Sequence, residues 1–131
     1  MVGLDTNVLV RYIMQDDPAQ SAKATALVER LSPSEPGFIS MVVVVELAWV
    51  LSSSYRLQRP QVAAALDSLL RSKELVIDQA ELIAQSLRRY KSGGADFADG
   101  LIERIGAAVG CSQTLTFDKV AVRAAGMTLV R

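Results

Sequence analysis

The sequence contains no histidine and a single cysteine, Cys111. Those two shortages remove the histidine-based triads, the common zinc sites and any internal disulfide. Catalysis must then draw on carboxylates, hydroxyls, lysine or a metal ion. Net charge is missing as well: 14 basic and 14 acidic side chains leave a formal charge of zero, so no global field draws the chain to nucleic acid. Any nucleic-acid interface has to be local. The longest uncharged apolar run, Gly37 to Val45, stops at Glu46, well below the roughly 20 residues of a membrane-spanning helix. The opening MVGLDTNV places an acid where a signal peptide needs a basic start, which predicts a soluble, cytoplasmic protein. There is no internal repeat and no low-complexity segment.

What is present is a chain of 131 residues, half of them apolar, long enough for one domain over 1–131 with its own core. Val2 to Leu4 reads as a strand that meets Asp5-Thr6-Asn7, residue types that cap helices, before Val8 to Met14 continues apolar. Pro18 opens a second helix that ends before the loop Ser32-Pro33-Ser34-Glu35-Pro36-Gly37. Phe38 to Leu51 is too long for one strand. The reading divides it into a strand at Phe38-Ile39, a cap at Ser40, and a helix Met41 to Ser53 buried on nearly all sides. Pro60 begins a helix reaching Ser72, Leu75 to Ile77 is a strand, and Glu81 to Tyr90 is an amphipathic helix stopped by Gly93-Gly94. A helix over Asp96 to Val109 and strands at Thr114 to Phe117 and Met127 to Val130 follow. Short apolar strands alternating with helices predict an α/β domain with a largely parallel sheet covered on both faces. The apolar helices Met41 to Ser53 and Pro60 to Ser72 also predict a hydrophobic groove for a partner.

The acids carry the functional signal. Asp5 and Asp118 each follow a strand, and parallel strands release both at the carboxyl edge where open α/β sheets bind ligands. Helix capping explains either one alone. Glu46 lies within Val42-Val43-Val44-Val45-Glu46-Leu47-Ala48-Trp49, so it must reach water or be compensated. Asp96, Asp99 and Glu103 share one helix face; the helix dipole accounts for the first two and not for Glu103. Carboxylates without histidine or cysteine suit hard ions such as Mg²⁺ or Mn²⁺, which activate water and stabilise a leaving oxygen in phosphodiester cleavage. Thr6 and Thr116 stand beside these acids, where capping and strand propensity also explain them.

Four segments in order, Leu4-Asp5-Thr6-Asn7-Val8-Leu9, Val45-Glu46-Leu47, Ala95-Asp96-Phe97-Ala98-Asp99-Gly100-Leu101-Ile102 and Thr116-Phe117-Asp118, resemble PIN domains, and most closely the VapC-like toxin ribonucleases of toxin–antitoxin modules. The resemblance implies a three-layer α/β/α sandwich, Mg²⁺- or Mn²⁺-dependent endonucleolytic cleavage of RNA, homodimers, and an antitoxin that inhibits the toxin. It carries Asp5, Glu46, Asp99 and Asp118 onto the catalytic positions. Asp5, Asp99 and Asp118 become metal ligands, with Glu46 and Asp99 completing the shell through water or a second ion. Asp96, Thr6, Asn7 and Thr116 fall on auxiliary positions. Arg11, Lys119 and Arg123 flank the acidic junctions and are candidates for the RNA backbone, whereas Arg88, Arg89 and Lys91 read as a solvated helix end. Two alternatives stay open: a receiver-like or phosphate-transfer α/β module that binds Mg²⁺, and a catalytically silent PIN-like binding domain.

Overall fold

Between the buried Leu4 and the buried Thr6, the exposed Asp5 turns the chain from strand to helix. This junction opens the computed structural model of the chain, which describes residues 1–131 in two units, Met1–Asp78 and Gln79–Arg131. In the first unit the order is β1 (Val2–Gly3), α1 (Thr6–Met14), α2 (Pro18–Glu29), β2 (Gly37–Ile39), α3 (Met41–Trp49), α4 (Arg59–Arg71) and β3 (Leu75–Ile77). The strands pair in parallel in the order β1-β2-β3, with Val2 opposite Gly37 and Phe38 opposite Val76. Parallel partners need crossovers, and α1 with α2, then α3 with α4, supply them.

Three helices of this unit start where the sequence provides an acceptor. The side chains of Asp5, Asp17 and Ser40 accept backbone N–H groups at the starts of α1, α2 and α3, and Pro18 occupies the first turn of α2. Leu9 and Val10 of α1, Ile39 of β2, Val44 and Leu47 of α3, and Val62 and Leu66 of α4 are buried. Each such side chain contributes roughly 1.5–3 kcal/mol, so the helices that begin at the acidic junctions are anchored from below. Gly37 is required by space: a Cβ there would stand 2.9 Å from Leu4 Cδ1 and 3.0 Å from Leu31 Cδ1.

The helix over Met41 to Ser53 departs from its reading in two ways. It is not buried all round, because Val42, Glu46 and Trp49 form an exposed stripe at helical spacing. It also changes pitch: α3 gives way at Val50–Ser54 to a π-helical turn. There the Ser52 hydroxyl donates to the carbonyls of Ala48 at 2.9 Å and Trp49 at 3.2 Å, the competition with the backbone expected of serine within a helix.

The second unit contains α5 (Ala80–Ser92), α6 (Phe97–Ala108), β4 (Leu115–Thr116), α7 (Lys119–Ala125) and β5 (Thr128–Leu129). β4 and β5 pair in parallel, Leu115 opposite Thr128, with α7 as their crossover. The sequence reading left α7 without an element, since its Lys-Val-Ala-Val-Arg-Ala-Ala is too short to show a period. Its small side chains are the reason it packs: Ala121 and Ala125 are buried with Ala95 and Met127 in one cluster. Tyr90 of α5 meets Phe97 of α6 edge to face, ring centroids 6.2 Å apart and planes at 89°. At Gly94, φ is +94° and a Cβ would lie 2.8 Å from Ala124 Cβ, so the turn between α5 and α6 needs glycine on both counts. The five strands fall where they are expected, although each is only two or three residues long and Phe117 lies outside β4 at 81 % exposure.

Candidate active site

In the first unit the site is built from the start of α1. Asp5 caps that helix, its Oδ1 accepting the Thr6 N–H at 2.8 Å, and the carboxylate remains exposed. One bond of this kind engages a single oxygen and leaves the other facing out. Thr6 is 4 % exposed, and its hydroxyl donates to Oε1 of Glu46, 40 residues further along. Glu46 therefore reaches water from the open stripe of α3 while one of its oxygens is held by α1. The question the sequence raised about a carboxylate among valines is answered by both routes at once: solvent and a hydroxyl donor. Asn7 is exposed beside them.

The second unit gathers aspartates at two helix starts. Asp96 caps α6 by accepting the Asp99 N–H at 2.8 Å, and Asp99 stands half-buried in the first turn. Asp118 caps α7, its Oδ1 accepting from Val120 N at 2.8 Å and Ala121 N at 3.3 Å. Thr116 Oγ1 accepts the Asp118 N–H at 3.0 Å and so fixes the turn that delivers it. Asp99 has its pKa raised above the ordinary aspartate value, first because burial disfavours its charge and then because Asp96 and Asp118 are negative neighbours. A cation beside Asp99 would favour its charged form.

Glu103 does not belong to this group. Arg104 Nε at 2.7 Å and Arg89 Nη1 at 3.0 Å pair with its Oε1, and its pKa is lowered, chiefly by the hydrogen bond from Arg104. The sequence put Glu103 on the acidic face correctly and missed the two arginines that neutralise it. Their signal was faint: Arg104 is its neighbour, but Arg89 arrives from another helix. Arg11 is likewise engaged within the protein. Its Nη1 lies 3.1 Å from Asp16 Oδ1, its Nε donates to Gln20 Oε1 at 2.7 Å, and Tyr55 donates to Asp16 Oδ2 at 2.6 Å. Its charge is already balanced, unlike the exposed Lys119 and Arg123 of α7.

The donor set fits a hard divalent ion, since every candidate ligand is a carboxylate oxygen and the capping bonds of Asp5, Asp96 and Asp118 each involve one oxygen. Neither unit has three acidic side chains drawn together as a ready-made ligand set. Comparison with curated proteins and with solved structures yields no match. A sequence model of one family, described as PIN domain, matches residues 2–127.

Proposed function

Because the chain belongs to the PIN domain family, an α/β/α fold whose members are in general metal-dependent nucleases, we propose that it is an endoribonuclease. In this reading Asp5, Asp99 and Asp118 are the ligands of Mg²⁺ or Mn²⁺ and Glu46 completes the shell. Asp96 is auxiliary, as are Thr6, Asn7 and Thr116. The observation that carries it is the placement of Asp96, Asp99 and Asp118 at the starts of α6 and α7, where burial and the two negative neighbours disfavour the charge of Asp99. When bound, the ion supplies charge stabilisation for phosphodiester hydrolysis and lowers the pKa of water. The chain's own groups do the holding. Asp5 and Asp118 keep their orientation through their cap bonds, and Thr6 holds Glu46 in a single pose from a buried hydroxyl. No side-chain base is needed.

The preferred substrate is single-stranded or looped RNA, held locally by Lys119, Arg123 and, less directly, Arg11; zero net charge gives no global attraction. We assign the chain to the toxin side of a toxin–antitoxin module, acting in the cytoplasm as a homodimer. Exposed Val42 at 76 % and Trp49 at 63 % on α3 support an apolar contact with the antitoxin, whereas the apolar face of α4 is already buried. Membership of the PIN family sets aside the receiver-like alternative. The test is cleavage of single-stranded RNA with Mn²⁺ and with the ion chelated. Cleavage only with the ion is expected; cleavage that survives chelation, or none with Mn²⁺ in a folded protein, overturns the proposal.

A further inference from the structure

Arg89 sits on α5, and its guanidinium joins α6 and α7, the helices capped by Asp96 and Asp118. Its Nη1 donates to Glu103 Oε1 at 3.0 Å and to the Ala125 carbonyl at 2.5 Å. Glu103 lies one turn beyond Asp99 on the same face of α6. Ala125 closes α7, the helix that Asp118 begins, and is 0 % exposed. α7 has only seven residues, about 10 Å, so a shift imposed at Ala125 would carry through two turns of helix to Asp118. The arginine passes close to both Gly100 and Gly126, within ordinary contact distance. A Cβ at Gly100 would stand 3.7 Å from Arg89 Cδ, and one at Gly126 3.8 Å from its guanidinium. Arg104 grips both oxygens of Glu103, Nε on Oε1 at 2.7 Å and Nη2 on Oε2 at 3.0 Å, which fixes the carboxylate whose Oε1 also accepts from Arg89.

We propose that Arg89 is a positioning residue: by clamping the far end of α7 to α6 one turn beyond Asp99, it sets where Asp118 stands relative to Asp99. This rests on the metallonuclease reading above. Within a helix-end basic run the arginine looked like solvated charge; its side chain is instead 30 % exposed and that of Glu103 only 13 %. Both bonds come from the one nitrogen Nη1, so a lysine ammonium on a flexible stem keeps part of the clamp and loses the fixed orientation of the planar guanidinium.

The test compares Arg89→Met, Arg89→Lys and Glu103→Gln with Asp118→Asn. It measures Mn²⁺ affinity by calorimetry and single-stranded RNA cleavage per folded molecule, with kcat and KM separated. Arg89→Met is expected to weaken Mn²⁺ binding and lower kcat by roughly tenfold, the lower end of what outer-shell partners of a metal site contribute, with KM for RNA within about twofold. Arg89→Lys and Glu103→Gln should fall between it and the parent, and both keep enough of the packing to read if Arg89→Met does not fold. Folded variants that lose only melting temperature, with parental Mn²⁺ affinity and kcat, would reduce Arg89 to a stabilising tie and overturn the inference. If Asp118→Asn also retains both, the metallonuclease reading itself has failed; if it loses both while the Arg89 and Glu103 variants keep them, only the positioning role has.

Discussion

The same device occurs once in each unit: a parallel strand, an aspartate that caps, and the helix it starts, at β1–Asp5–α1 and at β4–Asp118–α7. Around it the two differ. Asp5 accepts one N–H and begins a nine-residue helix anchored by Leu9 and Val10, whereas Asp118 accepts two and begins a seven-residue helix anchored by alanines. The companion acid is also managed differently. Glu46 is steadied by a neutral hydroxyl, while Asp99 faces other aspartates. A carboxylate can thus cap a helix through one oxygen and remain available through the other, so capping and metal binding are not rival explanations for these residues.

The largest effect should come from removing charge and keeping the cap. Asn accepts the same backbone N–H, so Asp5→Asn and Asp118→Asn should fold and still lose roughly tenfold to a hundredfold in RNA cleavage per folded molecule at saturating Mn²⁺. Parental activity in both would mean that the aspartates serve as caps alone. Next, Thr6→Val keeps the volume and deletes the donor to Glu46, and about a tenfold loss of cleavage is expected with little change in melting temperature. An unchanged rate would show that Glu46 needs no steadying.

The alanine pair sharpens the contrast in stability. Asp118→Ala should cost about 1–2 kcal/mol and Asp5→Ala about 0.5–1 kcal/mol in denaturant unfolding without metal, because two N–H partners and a short helix depend on Asp118. Equal losses would break the comparison. The smallest effect concerns Asp99. Its pKa is raised in the folded state, so its contribution to stability is fully present below the unfolded value of about 3.9 and is lost as pH rises through the folded value. Asp99→Asn should therefore melt slightly above the metal-free parent at pH 7, with the gap closing as pH falls below about 4. A gap that widens in acid would contradict the stated cause.

How much of this was legible beforehand follows from range. Asp5, Ser40, Asp96 and Asp118 announce their helices because a cap is a bond between a side chain and N–H groups within three residues, and the apolar runs at Phe38-Ile39 and Leu75-Val76-Ile77 are strands for equally local reasons. The order of acids along the chain, and with it the PIN resemblance, needs nothing but sequence. Packing decided the rest. Whether Glu46 meets solvent depends on which side of α3 is covered, and its hydroxyl donor stands 40 residues away. α7 has no apolar period to betray it and forms because Ala121 and Ala125 find Ala95 and Met127. The neutralisation of Glu103 and the tie to Ala125 require Arg89 to arrive from 14 and 36 residues away, contacts that exist only once the chain has folded.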